Sequence, residues 1–239
     1  LQIVQVHVPD GARTFLTDGY APTVSPNSQQ LAYLTGKNDS KLLVRDLASG
    51  ATRSIDLAPW IDDSADLFNG RMVWLVGGST LAVVPADDAI SDLSTTPGSH
   101  PERAHGCGDR SRSGCVILIA APRAGPLRYL KRVSVPDLDV INVAAIASDA
   151  DDQLILATDN GTGTTRIGTL SLADSTASLT TLYSVPGATP EAFDSTGTHI
   201  IYSNEHHPPE LIAAVIGRRG LLDRRVLVPS AREVQADAW

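Results

Sequence analysis

The chain has 239 residues, of which 42% are hydrophobic and only 5% aromatic, with 19 glycines and 15 prolines. This composition suits one globular domain or one closed ring of repeats, with a core of Val, Ile, Leu and Ala. The formal net charge of −8 argues against binding to nucleic acid, which needs clustered Lys and Arg facing phosphates. The sequence shows neither a signal peptide nor an apolar run of about 18 residues.

Residues 1–19 have the pattern of two strands joined by a turn. The segment VHVPDGARTFL aligns with RDLASGATRSI further along the chain, with Gly11 on Gly50. In the second segment the turn joins the last two strands of a complete repeat unit. We therefore predict that the chain starts in the middle of a unit, and we expect a leader or membrane anchor upstream of it.

Residues 20–57 form the most regular unit. A short extended start, Pro22–Ser25, is followed by the turn residues Pro26, Asn27 and Ser28 and then by an apolar run, LAYL. A hairpin loop leads to a third strand, and a turn at Gly50 leads to a fourth strand in which polar and apolar residues alternate. The pattern predicts four short antiparallel strands joined by tight turns.

Weaker copies of this unit recur along the chain. Tyr33 in the second strand has counterparts in Trp74, Leu156 and Tyr202, and the apolar run that starts at Cys115 fills the wide interval before Leu156. A spacing of about 40 residues per four-stranded unit is typical of a β-propeller, whereas a helical solenoid would show a 3.6-residue period.

The predicted fold is all-β: a six-bladed β-propeller of four-stranded antiparallel blades, forming a single domain over residues 1–239. The predicted half-blade is residues 1–19, and the predicted closing strand is residues 231–239. The five predicted blades between them are residues 20–57, 58–105, 106–138, 139–187 and 188–230. Pairing of the N- and C-terminal strands would close the ring and remove two free sheet edges. An open sandwich and a ring of five or seven blades are the alternatives.

The least regular segment, residues 86–114, is rich in Asp, Ser, Pro, Gly and Arg. Of the two cysteines, Cys107 lies within this segment and Cys115 directly follows it. Two cysteines this close can bridge a hairpin-like loop when their Cα atoms lie within about 7 Å. We predict a disulfide between them, which implies an oxidising compartment and stabilises the fold by roughly 2–3 kcal/mol. The alternative is a pair of free thiols in a cytosolic protein.

Three polar patterns resemble functional sites without matching one. Asp62 and Asp63 lack the spaced oxygen ligands of a calcium loop. His206 and His207 are adjacent, so on an extended chain they point to opposite sides and do not share one metal ion. Gly161–Thr165 lacks the lysine and helix of a phosphate-binding loop. The sequence also lacks the G-x-S-x-G elbow of hydrolases. Taken together, these patterns lead us to predict no catalytic, metal or cofactor-binding residue.

The phrase SPNSQQLAYLTG followed by KLLVRDLASGATRSI resembles the repeat of TolB-type, WD-like propellers. The usual repeat reads S-P-D-G-x-x-[IL]-A-[FY], then a strand that ends in Asp, a turn with Gly, and a basic residue before an apolar one. The positions that carry the resemblance are Ser25, Pro26, Leu31, Ala32, Tyr33, Asp46, Gly50 and Arg53. Asn27 and Ser28 stand where Asp and Gly are usual. The matched positions are structural, so no functional residue is carried over.

The resemblance implies a six-bladed, non-enzymatic ring on the outer side of a bacterial membrane that binds a protein or peptide partner. The composition is similar to that of actinobacterial lipoproteins and sensor domains. We therefore predict an extracytoplasmic module, periplasmic, cell-surface or secreted, that binds a protein, peptide or small ligand at a loop face or the central channel, without a cofactor. The alternatives are a lactonase- or lyase-like propeller enzyme with a metal in the channel, and the extracellular sensor domain of a membrane protein.

Overall fold

The computed structural model describes residues 2–7, 9–35, 41–60, 65–87, 114–135, 143–159, 164–194, 196–204, 210–217 and 220–228. Among these residues there are eighteen β-strands and one 3-10 turn, Ala58–Trp60. In chain order the strands are β1 Gln2–Val6, β2 Arg13–Asp18, β3 Tyr20–Val24, β4 Gln30–Thr35, β5 Lys41–Asp46, β6 Thr52–Asp56, β7 Ala65–Trp74, β8 Thr80–Asp87, β9 Gly114–Ala120, β10 Arg128–Val135, β11 Val143–Ala150, β12 Gln153–Asp159, β13 Thr164–Ser171, β14 Thr180–Pro186, β15 Ala188–Phe193, β16 His199–Asn204, β17 Leu211–Gly217 and β18 Gly220–Val228. No helix in this part of the chain is long and apolar enough to cross a membrane.

The strands form five antiparallel sheets in succession. Blade 1 is β3–β6, blade 2 is β7–β10, blade 3 is β11–β14 and blade 4 is β15–β18, while β1 and β2 form a two-stranded N-terminal sheet. The first strands of blades 1 to 4 lie side by side. The fold is therefore an all-β propeller of four-stranded antiparallel blades, as predicted. The prediction of six blades is wrong, because the described residues form four complete blades and one partial blade.

The extra predicted blade arises from the apolar run that starts at Cys115. This run matched the second strand of a separate unit in the sequence, but as β9 it pairs with β8 of the same blade, with Ile117 opposite Val83. The second and third strands of a blade are both covered on two faces, so both read as continuous apolar runs. Blade 2 therefore spans residues 65–135, where two units, 58–105 and 106–138, were predicted.

The N-terminal sheet has the turn geometry of the last two strands of a blade. The turn after β1 starts at His7 and the turn after β5 starts at Asp46. In each turn, the N–H of this first residue donates to the C=O five residues later, and its C=O accepts the N–H of the residue four positions later. The residue four positions after the first is a glycine with a left-handed backbone in both turns, Gly11 (φ +69°) and Gly50 (φ +74°). β1 and β2 thus correspond to a third and a fourth strand. The predicted closing strand, residues 231–239, lies outside the described residues.

The core lies between neighbouring sheets. Four clusters of buried apolar side chains join, in turn, the N-terminal sheet to blade 1, blade 1 to blade 2, blade 2 to blade 3, and blade 3 to blade 4. Ile3 packs with Tyr33 in the first of these clusters, and Ile155 packs with Ile200 in the last. Full burial of one such side chain stabilises the fold by about 1.5–3 kcal/mol. Because each blade covers the flank of the next, the turns at the blade ends are held in fixed relative positions.

Candidate functional site

Each blade brings two of its turns to the same end of the propeller. In an antiparallel meander, the turn between strands one and two lies at the same end as the turn between strands three and four. The loops between strands two and three lie at the opposite end, and their tips are outside the described residues. We call the four turns between first and second strands the turn rim; they are residues 25–30, 75–80, 148–153 and 194–199.

Three of the four rim turns share one backbone hydrogen-bond pattern. These turns start at Ser25, Leu75 and Asp194. In each turn, the N–H of the first residue donates to the C=O five residues later, and its C=O accepts the N–H of the residue three positions later, at 2.7–3.1 Å. These bonds pair polar backbone groups that would otherwise depend on water. The rim is therefore a repeated, ordered structure.

The fourth residue of these three turns has a left-handed backbone conformation. Its φ is +57° at Ser28, +66° at Gly78 and +67° at Gly197. Glycine adopts this conformation without steric cost, whereas a residue with a Cβ atom costs about 1–2 kcal/mol there. Blade 1 therefore carries a strained residue at a position where blades 2 and 4 have glycine.

In blade 4 the first turn residue, Asp194, accepts a network of hydrogen bonds. Its Oδ1 accepts the N–H groups of Thr198 at 2.8 Å and His199 at 3.1 Å. Its Oδ2 accepts hydrogen bonds from the hydroxyls of Thr196 and Thr198 and from Nδ1 of His199, each at 2.9 Å. Partial burial raises the pKa of the Asp194 carboxyl, but these bonds outweigh it and hold the pKa at about 2. The ionised carboxylate thus fixes the turn.

Neighbouring rim turns also contact one another. The N–H of Gly77 in blade 2 donates to Oδ1 of Asp151 in blade 3 at 2.5 Å. A Cβ atom on Gly77 would lie 2.7 Å from that oxygen, so a side chain there would displace the carboxylate. On the other side of the same turn, a Cβ atom on Gly78 would lie 3.6 Å from Cδ of Pro26 in blade 1. The turns of blades 1, 2 and 3 therefore form one continuous surface.

Basic side chains connect the outer strands to the next blade. Arg53 in β6 donates from Nη1 to two backbone carbonyls of the β9–β10 turn, at 2.5 and 2.7 Å. Lys131 in β10 donates to two carbonyls of the segment after β13, one of them at 2.8 Å. The two residues are equivalent in the repeat, since Arg53 lies opposite Val44 and Lys131 lies opposite Leu118. We call these two interactions the blade clamps.

The turns between third and fourth strands contain ionised carboxylates. The N–H and the hydroxyl of Ser49 lower the pKa of Asp46. The N–H of Ala12 and the ring of His7 lower the pKa of Asp10 in the same way. A charge that accepts several hydrogen bonds loses them on protonation, so these turns keep their geometry at neutral pH.

The rim exposes a mixture of apolar and polar groups to solvent. Pro26, Asn27 and Gln29 of blade 1 and Asp152 of blade 3 are exposed. Val76 of blade 2 is an exposed aliphatic side chain, 49% accessible. Within the described ranges, no three His, Cys, Asp or Glu side chains are grouped so that they could hold a metal ion. The rim therefore presents apolar, amide and carboxylate groups to solvent.

Of the predicted disulfide pair, the structure describes one member. Cys115 lies in β9 with no exposed surface, in the cluster between blades 1 and 2. Cys107 lies outside the described residues, so the disulfide stays a prediction. The polar patterns weighed in the sequence also lie wholly or partly outside the described residues: Asp62, Asp63, His206, His207 and residues 161–163.

Sequence reasoning missed the residues that hold the blades together. Arg53 was part of the recognised repeat, but its contact with the next blade was not predicted. The basic residue in the outer strand of the repeat was the signal that could have indicated this contact. No comparable signal marked Asp151, because its partner, Gly77, lies in another blade and becomes a neighbour only when the blade order is known.

The comparisons with known sequences found no relative. No model of a known protein family matches the chain. No curated protein matches it either.

Solved structures with a similar fold include TolB from Acinetobacter baumannii, with 12% sequence identity and a TM-score of 0.53; the match covers 93% of this chain and 47% of TolB. An acylaminoacyl peptidase from Pyrococcus horikoshii matches with 13% identity and a TM-score of 0.53, over 92% of this chain and 34% of the peptidase. A gluconolactonase from Xanthomonas campestris matches with 16% identity and a TM-score of 0.56, over 95% of this chain and 69% of the gluconolactonase.

The chain therefore spans less than half of the TolB structure, 47%, and about a third of the peptidase, 34%. Proteins of different activity share this architecture, so at these identities the likeness defines the fold alone. The chain is a β-propeller of four-stranded blades, similar in fold to TolB.

Proposed function

We propose that the protein is a non-enzymatic binding or scaffold module, and that the turn rim is its contact surface for a protein or peptide partner. The observation that carries this proposal is the order of the rim, in which three turns have the same backbone bonds and adjacent turns touch. A surface that is already ordered loses little conformational entropy on binding.

Asp194 and the two clamp residues bond turns at this end of the blades, whereas Asp152 stays exposed on the rim. Asp194 accepts five hydrogen bonds within its own turn. Arg53 and Lys131 bond backbone carbonyls of the next blade. The exposed side chains of Val76 and Gln29 remain for a partner, and they suit recognition of a protein surface.

Site-directed photocrosslinking in the full chain tests this function. A photoreactive amino acid replaces Val76 or Gln29 on the rim, and Leu130 or Leu182 on outer strands serves as the matched control. We expect one partner to be captured from both rim positions and not from the outer strands. Equal capture from all four positions, or capture from the outer strands alone, would contradict the proposal.

An elemental scan of the purified protein distinguishes this function from a metal-dependent propeller enzyme. A binding module gives no stoichiometric divalent ion. A tightly held ion, together with lactonase or lyase activity that disappears on chelation, would replace the proposal by the enzymatic alternative.

We further propose an extracytoplasmic location and a Cys107–Cys115 disulfide. The described part of the chain contains no free cysteine, which supports the pairing. The expected result is a mass 2 Da below that of the reduced chain, by hydrogen loss on pairing, and recovery of the protein outside the cytoplasm on fractionation. Two alkylated thiols in protein quenched inside intact cells would contradict both parts.

Ring closure through residues 231–239 is a further part of the proposal. It is supported by β1, whose other edge pairs with no described strand, and by Val4 and Val6, which are 43% and 49% exposed. Deleting residues 231–239 should then speed hydrogen exchange at the amides of Gln2–Val6. Unchanged exchange there would contradict closure by this segment.

A further inference from the structure

β18, the outer strand of blade 4, exposes more apolar surface than the other outer strands. Val226, Leu227 and Val228 are 46%, 41% and 37% exposed. Val226 lies opposite Ile212 and Val228 lies opposite Leu211, so Leu227 between them is a bulge residue. No described strand pairs with its outer edge.

The outer strands of the other blades differ from β18. β6 carries no exposed large apolar side chain, β10 carries only Leu130, and β14 carries only Leu182. β14 also ends in Pro186, which cannot donate a backbone hydrogen bond. Natural sheet edges are normally protected against pairing by short strands, charges or proline. Arg224 and Arg225 place charges at the start of the β18 edge, but Val226–Val228 carries more exposed apolar surface than any run of β6 or β14.

The available part of β18 is a run of five residues, Arg224–Val228. Asp223, just before it, has a left-handed φ of +47°, and the register with β17 shifts between Ala213 and Val215. A second shift, between Leu211 and Ile212, makes Leu227 an extra residue within the run. Such an irregularity bends a strand. We call residues 224–228 the β18 edge.

Two arginines begin the β18 edge, and neither makes a hydrogen bond or ion pair with any described residue. Arg225 lies opposite Ala213, at the position that the clamp residues Arg53 and Lys131 occupy in blades 1 and 2. Arg224, its neighbour, lies at the register shift between β17 and β18, and its positive charge acts on the hydroxyl of Tyr202. The edge therefore offers two adjacent positive charges followed by three apolar side chains.

A second copy of the chain is a poor occupant of this edge. Antiparallel pairing of two β18 edges about Val226 would place Arg224 opposite Val228 and Arg225 opposite Leu227, without a counter-charge. Each copy also carries a net charge of −8, which opposes association. Charge complementarity instead favours an extended segment with acidic residues opposite the arginines.

We propose that the β18 edge binds an extended segment of a partner protein by antiparallel strand addition, and that this segment has three apolar residues followed by two acidic residues. The backbone groups of alternate residues would form the new ladder, the apolar residues would cover the exposed valines and leucine, and the two carboxylates would pair with the arginines. This site is distinct from the turn rim, so it does not depend on the function proposed there.

Fluorescence anisotropy with a labelled peptide, SIVIEES, and the full chain tests the proposal. We expect saturable binding, and weaker binding of the reversed sequence, SEEIVIS, which places the acidic residues away from the arginines when it pairs antiparallel. The double variant Arg224→Glu/Arg225→Glu should lose about tenfold in affinity for SIVIEES and should instead bind SIVIKKS, since opposite-charge pairs become like-charge pairs. Rescue by the charge-swapped peptide shows that the variant is folded.

A matched control variant, Arg128→Glu/Arg166→Glu, changes the net charge equally at two exposed arginines elsewhere and should keep the wild-type affinity. Hydrogen exchange should slow within residues 224–228 when SIVIEES is bound. Absence of binding, equal affinity of the Arg224→Glu/Arg225→Glu variant, or slowed exchange at the turn rim instead would overturn the proposal. Concentration-dependent dimerisation that this variant abolishes would also overturn it, in favour of a second copy.

Discussion

At the residue scale, the rim uses different side chains to form the same turn. The backbone bonds of the turn that starts at Ser25 recur in the turn that starts at Leu75, where no side-chain hydrogen bond from that position is available. In blade 1 the hydroxyl of Ser25 accepts the N–H of Gln30 at 2.9 Å. The backbone conformation thus determines the turn, and the side chains adjust its stability.

Replacing Ser28 by glycine should stabilise the protein. The φ of +57° at Ser28 costs a residue with a Cβ atom about 1–2 kcal/mol, and the greater flexibility of glycine in the unfolded chain offsets part of the gain. We expect a net gain of about 0.5–1 kcal/mol in the free energy of unfolding, measured by denaturant titration. The control is Gln29→Gly at the next, exposed position, which should destabilise the protein. A loss of stability in Ser28→Gly would show that the backbone at Ser28 is not strained.

The Asp194 network should make stability depend on pH. The pKa of Asp194 is about 2 in the folded chain, below the value of 3.8 for a free side chain, so its contribution is fully present above about pH 4 and is lost as the pH falls towards 2. The side chain is 23% exposed, and with solvent screening we expect about 1 kcal/mol.

Denaturant titrations of wild type and Asp194→Asn at pH 6 and pH 2 measure this contribution. The variant should be less stable at pH 6 and should approach the wild type at pH 2. Thr198→Val, which removes one hydroxyl bond, should give part of the loss. An equal stability difference at both pH values would show that the carboxylate charge is not the cause.

At the element scale, neighbouring blades are joined by polar contacts as well as by the core. The bond from Gly77 to Asp151 and the clamps of Arg53 and Lys131 all join a residue of one blade to the next blade in the chain. Each replaces water around a backbone group by a charged partner, the stronger class of hydrogen bond. These contacts fix the relative positions of the turns.

Gly77 and Asp151 should behave as one coupled unit. Because the end of the Asp151 side chain can move away from a new Cβ atom, Gly77→Ala should cost only the lost hydrogen bond, about 1 kcal/mol. Asp151→Ala should cost a similar amount, and the double variant little more than either single one. Additive costs, measured by thermal or denaturant unfolding, would show that the two residues are not coupled.

Removing a clamp should loosen the junction between blades 1 and 2. Arg53→Met keeps much of the apolar side chain but leaves two carbonyls of the β9–β10 turn without their donor, at a cost of about 1–2 kcal/mol. Hydrogen exchange of residues 121–127 should become faster. Arg128→Met, at an exposed arginine of β10 for which no clamp is seen, is the control and should leave both measurements unchanged.

The sequence predicted the strands more reliably than their assignment to blades. Tyr33 and Tyr202 lie in second strands as the repeat indicated, because turn residues and apolar runs are local signals. The strand at Cys115 was assigned to an additional blade, because its pairing with β8 is a contact across the long interval of residues 88–113 and leaves no local trace. The rim contact of Asp151 could not be predicted for the same reason.

At the scale of the whole molecule, the blades form an ordered frame with two kinds of exposed surface. The turn rim lies at one end of the blades, and the β18 edge lies on the outer strand of blade 4. The frame itself rests on apolar side chains buried between blades, of which Leu34, Leu81 and Leu154 have no exposed surface. The two surfaces can therefore be altered by substitution without removing core contacts.

The most direct test of the central claim, that the turn rim is the binding surface, is hydrogen exchange of the full chain with and without the partner captured through Val76. The account predicts slower exchange in residues 25–30 and 75–80 when the partner is bound, with the outer strands β6, β10 and β14 unchanged. Slower exchange confined to the outer strands or to the opposite end of the blades, with the rim unchanged, would contradict it.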